Sequence, residues 1–291
     1  MRHLVLCLAV GCCAFAETLI IGHKWADSVG YYDGESGKLL ASVPVGLRPH
    51  EMATSADRKL VFVTNYGVNT WTQTETGTNT VSVIDRQSRK EVGRIDLGDH
   101  HRPHGIERGS TSGLLYITAD FPPSLLVVDA QKRAVVKRFD IGQKAPHMLA
   151  ISHDEKHAWV ANSGSGSVTR ITLDGSVPPK HIEVGGVPMG IALEEQKRRY
   201  CWVVNRTANE LVAIDMKTAS VAQRVSVPGQ PVRLVLTPGD NAIIVSLIGS
   251  GEAAVIDAES FRELKRFNVG ANAEGLHFDA PSGFLYVSAQ G

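Results

Sequence analysis

The chain has 291 residues, 43% of them hydrophobic and 21% charged, enough apolar material to bury a core. Thirty basic and thirty acidic side chains leave a formal charge of zero, which excludes a general electrostatic pull toward nucleic acid or an anionic membrane surface. The 28 glycines and 13 prolines suit a turn-rich, all-β chain.

At the N-terminus, Arg2 precedes an apolar stretch from Leu4 to Ala14 that is too short to span a bilayer. Ala14-Phe15-Ala16 then offers the small-x-small pattern for cleavage before Glu17. Residues 1–16 are therefore expected to be a signal peptide and 17–291 the mature domain, periplasmic or secreted, with no transmembrane segment once the leader is removed. Gly11-Cys12 offers lipoprotein anchoring at Cys12 as the alternative, although Ala9 stands where a larger aliphatic residue is usual. Cys7, Cys12 and Cys13 all fall in the leader. The mature chain keeps only Cys201, in the predicted strand YCWVVN, so an intramolecular disulfide and a CxxCH haem attachment are both excluded. Cys201 reads as a small buried hydrophobe.

After the leader, a glycine closes one segment after another: Gly46, Gly98, Gly142, Gly185, Gly229 and Gly270, at intervals of 52, 44, 43, 44 and 41 residues. A period of about 40 to 45 residues belongs to four-stranded propeller blades. Each interval opens with a Pro-containing segment and a short apolar run (HEMATS, HGIERG, HMLAIS, MGIALE, VRLVLT), then a turn. A β-rich run follows (VFVTN, LYITA, AWVAN, CWVVN, IIVSL), then a polar loop, then VSVID, LLVVD, VTRIT, LVAID or AAVID, then a strand into the next glycine. Runs rich in Val, Ile, Tyr and Trp and bounded by turn residues read as strands. The Asp that ends the third strand, at 33, 85, 129, 215 and 257 with Thr172 in the equivalent place, is expected to accept from backbone amides two residues on and so fix the hairpin to the fourth strand. Asn65, Asn162 and Asn205 are expected to form turns.

The two ends of the chain do not add up to one blade. Residues 18 to 46 supply second to fourth strands and residues 271 to 291 supply first and second strands, so both ends carry a second strand. The expectation is a seven-bladed propeller whose last blade is C-terminally incomplete, after repeats ending near 46, 98, 142, 185, 229 and 270. The less favoured alternative is six blades with FLYVSAQ displaced, which would leave an unpaired strand edge.

The words VFVTN, VSVID and a closing glycine, carried through five full repeats, resemble the YVTN-type β-propeller repeat family, including the YncE-like bacterial periplasmic proteins. The resemblance covers nearly everything after residue 17 and implies the fold, not an activity. The wider group that this fold resembles includes the d1-haem domain of cytochrome cd1, the propeller of nitrous oxide reductase and seven-bladed lactonases, whose chemistries are unrelated. The copper cluster of nitrous oxide reductase needs more histidines than this chain offers, and that activity is not implied.

No GxSxG, HExxH, phosphate-binding or dinucleotide motif is present. What remains is a histidine pattern locked to the repeat. Pro49-His50, Pro103-His104 and Pro146-His147 stand at one equivalent position, where the next two repeats have Pro188-Met189 and Pro231-Val232. A blade's first strand lines the central channel, so the three imidazoles are expected at the channel mouth. The loop between second and third strands opens on the same rim, and in the first full repeat it is long, YGVNTWTQTETGTNT. It carries Tyr66 and Trp71 and is expected to act as a lid or binding loop. Glu51, His100, His101, Arg102, Asp120, Phe121 and Arg206 map to this rim, and Glu274 holds the inner-strand position of the last repeat.

These residues define the candidate ligand-binding set His50, Glu51, His104, His147, Tyr66, Trp71, Arg102 and Glu274. His50, His104 and His147 are candidate ligands for a transition metal such as Zn, Cu or Fe, since neutral imidazole suits all of them. The competing reading is architectural, each His bonding to a neighbouring blade's backbone. Three function classes follow: a binding module for a small molecule or a periplasmic protein, working as a monomer; a metal-assisted hydrolase or lactonase-like enzyme using His with Glu51 or Glu274 as acid and base; and an accessory in d1-haem or quinone metabolism. The sequence names no catalytic residue and no cofactor beyond a possible metal.

Overall fold

The computed structural model describes residues 18–289, and the predicted leader lies outside them. Contacts divide the described residues into two units, one of 18–160 with 171–179 and the other of 161–170 with 180–289. Both are built from antiparallel sheets in which strands consecutive in sequence are neighbours, the meander that short turns dictate.

The first unit opens with a three-stranded sheet, Thr18–His23, Ser28–Asp33 and Leu39–Pro44. Two four-stranded blades follow. One is Pro49–Thr54, Leu60–Asn65, Thr80–Asp85 and Lys90–Asp96; the other is His101–Arg108, Leu115–Phe121, Pro123–Asp129 and Ala134–Asp140. The next blade, Pro146–Ile151, His157–Asn162, Ser167–Thr172 and Lys180–Glu183, contributes residues to both units. The second unit holds two more four-stranded blades, whose inner strands are Pro188–Leu193 and Pro231–Leu236, and a final pair, Ala273–Asp279 with Phe284–Ala289.

The four-stranded blade is as the repeat predicts, but the expected seven blades are not. The 25 described strands amount to six blades of four with one strand over. The cause is at the ends, where the first sheet has three strands and the last has two. FLYVSA is not displaced: it pairs with Ala273–Asp279.

In each blade, alternate side chains of the middle strands face the neighbouring sheet. In the first unit Phe62, Val81, Val83, Ile106, Leu115, Ile117 and Leu126 form one such layer, all but fully buried. Each aliphatic side chain so buried is worth about 1.5–3 kcal/mol. Trp202, Val204, Leu211, Val232, Ile243 and Val245 form the matching layer in the second unit. Cys201 is buried as expected, and burial raises its thiol pKa well above the ordinary value.

The turn Asp residues do the job assigned to them, with the accepted amide most often three residues on. Asp33 accepts from Ser36 N at 2.7 Å, Asp85 from Ser88 N at 2.7 Å and Asp215 from Thr218 N at 2.7 Å. The Asn residues are buried cross-strand ties. Asn65 Nδ2 donates to Thr80 Oγ1 and Ser82 Oγ, both at 3.0 Å, and Asn162 Nδ2 to Ser167 Oγ at 3.1 Å and Thr169 Oγ1 at 2.8 Å. Among the described residues no helix is long and apolar enough to cross a membrane.

Candidate functional site

A β-bulge makes the site possible. In a regular strand, neighbouring side chains point to opposite faces. Pro49 pairs with Asn65 and Met52 with Val63, leaving His50 and Glu51 in an irregular register between them. The next inner strand repeats the device: Pro103 pairs with Ala119 and Ile106 with Ile117, with His104 and Gly105 between. A bulge re-aims side chains, and here it turns two sequence neighbours toward each other, so that His50 Nδ1 lies 3.2 Å from Glu51 Oε1.

The three predicted imidazoles come together. His104 sits in the middle, its ring centroid 3.9 Å from that of His50 and 3.9 Å from that of His147, with tilts of 43° and 37°. His50 and His147 are 6.4 Å apart and nearly perpendicular. His104 and His147 are buried, His50 nearly so.

The main chain at His104 and His147 is held by threonines on the second strands. Thr64 Oγ1 accepts the Glu51 amide at 3.0 Å and donates to the His104 carbonyl of the next blade at 2.8 Å. Thr118 Oγ1 accepts the Gly105 amide at 2.9 Å and donates to the His147 carbonyl at 2.6 Å. Each hydroxyl thus closes its own blade's bulge and pins the next blade's histidine. By strand register Gly22 occupies the equivalent place in the first sheet, so no such hydroxyl precedes His50.

Tyr66, the first residue of the long loop, closes one side. Its ring meets His50 and His104 edge-on, at 5.4 and 5.0 Å between centroids, and its hydroxyl donates to Asp120 Oδ2 at 2.5 Å. Burial lifts the Asp120 carboxyl from 3.8 to about 7, against the opposing effects of the Tyr66 hydrogen bond and the Arg102 charge. Burial, followed by the Asp120 charge, pushes the Tyr66 phenol far above its ordinary value.

Arg102 works on the loop rather than on the histidines. Its guanidinium donates to the carbonyls of Gln73 at 2.8 Å, Trp71 at 3.4 Å and Glu75, where Nε is at 3.0 Å. From the other side Lys24 Nζ donates to the Asn69 carbonyl at 2.8 Å and Arg48 Nε to Asn69 Oδ1 at 2.8 Å. The Trp71 side chain is 36% exposed, so this loop offers an aromatic group at its surface. Trp25, Leu47 and Phe121 are exposed too; Trp25 carries the Arg48 guanidinium 5.3 Å from its ring centroid, and Phe121 pairs with His101 at the strand end.

Glu274 belongs to the second unit. Its backbone is pinned just as the histidines are, Ser246 Oγ donating to its carbonyl at 2.8 Å, which confirms the equivalent inner-strand position. Arg206, also in that unit, donates to Gln230 Oε1 at 3.4 Å. His100 is buried, and burial followed by the Arg138 charge lowers its imidazole pKa.

Sequence reading missed the threonine pins and the Lys24–Asn69–Arg48 clamp. The former had a signal, a hydroxyl as the fourth letter of VFVTN and LYITA; the latter had none, because its partners lie far apart in the chain.

Among the described residues, a group that could hold a metal is His50, Glu51 and His104, whose potential ligand atoms all lie within 4.8 Å of one another. His147 stands outside that group.

Solved structures with this architecture include hydrazine synthase of Kuenenia stuttgartiensis, with a TM-score of 0.79 and 18% identity over 94% of this chain and 89% of that one. Virginiamycin B lyase from Staphylococcus aureus matches with a TM-score of 0.75 and 13% identity over 99% of both chains. A streptogramin B lyase matches with a TM-score of 0.75 and 14% identity over 98% of this chain and 95% of that one. At these identities the likeness is one of fold. No curated protein matches the sequence. The YNCE-like beta-propeller family matches residues 98–280, well over half of the sequence, and the chain belongs to that family.

Proposed function

We propose that this is an exported β-propeller that binds a small molecule at its histidine-bearing end, through His50, His104 and His147 with Tyr66 beside them. The supporting observation is that the three rings are gathered at one place, with the Tyr66 ring edge-on to two of them. Trp25, Leu47, Trp71 and Phe121 give nearby loops an apolar surface, so the best-fitting ligand has a polar head for the imidazoles and an apolar body.

A second reading, acid–base catalysis as in a hydrolase or lyase, is favoured by the Tyr66–Asp120 pair, since a carboxyl held near 7 can both give and take a proton at neutral pH. The lyases of similar fold make this a reaction class to screen. The deciding experiment is a thermal-shift and turnover screen with lactones, quinones, haem and small carboxylic acids. At least one compound should raise the melting temperature of the wild type and not of the His50→Ala/His104→Ala/His147→Ala variant, with the β-sheet circular dichroism unchanged. An equal shift in the variant would place binding elsewhere, and turnover of a lactone lost in Asp120→Asn would favour the catalytic reading.

A further inference from the structure

We propose that His50, Glu51 and His104 form the ligand set for one divalent transition-metal ion of the zinc class, with His147 outside it. This rests on the reading of the histidine end as a binding site and narrows its chemistry. The sequence pattern suggests three equivalent histidines. The geometry breaks that equivalence: the potential ligand atoms of His50, Glu51 and His104 all lie within 4.8 Å of one another, whereas His147 is outside that group, its ring centroid 6.4 Å from that of His50.

Two features make this a built group rather than a chance meeting. The bulge after Pro49 turns Glu51 to the same side as His50, against strand alternation, and the Thr64 hydroxyl fixes both the Glu51 amide and the His104 carbonyl, so one side chain positions two of the three ligands. Burial of His104 and partial burial of His50 and Glu51 also reduce competition from water. Two imidazoles and a carboxylate leave a coordination position open, the arrangement that zinc uses when a further ligand is to bind.

The test uses the full exported chain, stripped with a chelator and titrated with zinc chloride by calorimetry, with stoichiometry from elemental analysis. One ion per chain is expected. His50→Ala, His104→Ala and Glu51→Gln should each weaken binding by about tenfold or more, and His147→Ala should leave it within about threefold. Cobalt(II) added to the wild type gives a visible absorption band on binding, a readout that does not depend on any variant folding. No zinc binding together with no cobalt band overturns the proposal; so does loss in His147→Ala as large as in His104→Ala, or full retention in Glu51→Gln. The compound screen repeated in chelator separates the two readings. Shifts that persist in chelator, together with no zinc binding, keep the small-molecule site and remove the ion, whereas metal binding with no compound shift keeps the ion and removes the small-molecule site.

Discussion

The hydroxyl of Thr64 donates to the carbonyl of His104, 40 residues away and one blade on, while accepting the amide of Glu51 in its own blade. Thr64 is fully buried, so water does not stand in readily for its hydroxyl. Thr64→Val keeps the shape and removes the hydroxyl, leaving a donor and an acceptor without this partner; a loss of about 1–3 kcal/mol is expected. Chemical denaturation checks the magnitude. If histidine placement also depends on this pin, zinc or ligand affinity falls in Thr64→Val and not in a cavity variant such as Ile243→Ala in the other unit.

Arg102 joins the loop at residues 66–79 to the strand that carries His104. It spends its guanidinium on main-chain carbonyls, so the charge matters less than the fork of donors. Arg102→Lys keeps the charge but cannot reach three carbonyls at once. The variant is expected to be cleaved by a broad-specificity protease within residues 66–79 at least several-fold faster than the wild type, with the remaining blades intact. Equal cleavage rates would mean that Lys24 and Arg48 suffice to hold the loop.

The blade repeat and the register of the three histidines could be read directly, because glycine spacing and strand words are local and recur. The convergence of the rings followed from register alone. Glu51 was legible as a rim residue beside His50, but its place in the metal-sized group instead of His147 was not, since simple alternation sends neighbours to opposite faces and only the bulge reverses this. Arg102 was legible as a rim residue, but its use on the loop depends on contacts across some 30 residues. Blade number failed for a different reason: the repeat defines a blade, while the strands at the two ends decide how many are completed.

Glu155 carries a structural prediction at a distance from the histidines. Its carboxylate accepts five hydrogen bonds from the preceding blade: Thr111 N and Oγ1 at 2.6 Å each, Ser112 N at 2.8 Å, Ser112 Oγ at 2.5 Å and Tyr116 Oη at 3.0 Å. Burial alone would raise its pKa, but the Ser112 and Thr111 hydrogen bonds outweigh it and hold the group at about 2 against an ordinary 4.5. A depressed folded pKa stabilises above the unfolded value and is lost as pH falls through the folded one. Wild type should therefore lose roughly 2 kcal/mol relative to Glu155→Gln between pH 5 and pH 2, after allowing for partial exposure. Parallel stability curves for the two proteins would show that the carboxylate charge contributes little to this joint.

Asp120 has the opposite sign. Its carboxyl, raised by burial from 3.8 to about 7, binds a proton more tightly in the folded chain than in the unfolded one. Stability contributed by this group is therefore greatest below about pH 4, falls as pH rises, and levels off above about pH 7. The loss across that window is on the order of 2–4 kcal/mol, since each pKa unit is worth about 1.4 kcal/mol. Asp120→Asn keeps an oxygen for the Tyr66 hydroxyl and has no proton to lose. Denaturation of both proteins from pH 4 to pH 8 should show the variant gaining on the wild type by that amount, with the change centred between the two pKa values. A constant difference would mean that Arg102 and Tyr66 stabilise the carboxylate well enough to cancel its burial, and Asp120 would then be ionised throughout the neutral range and unable to act as an acid beside the histidines.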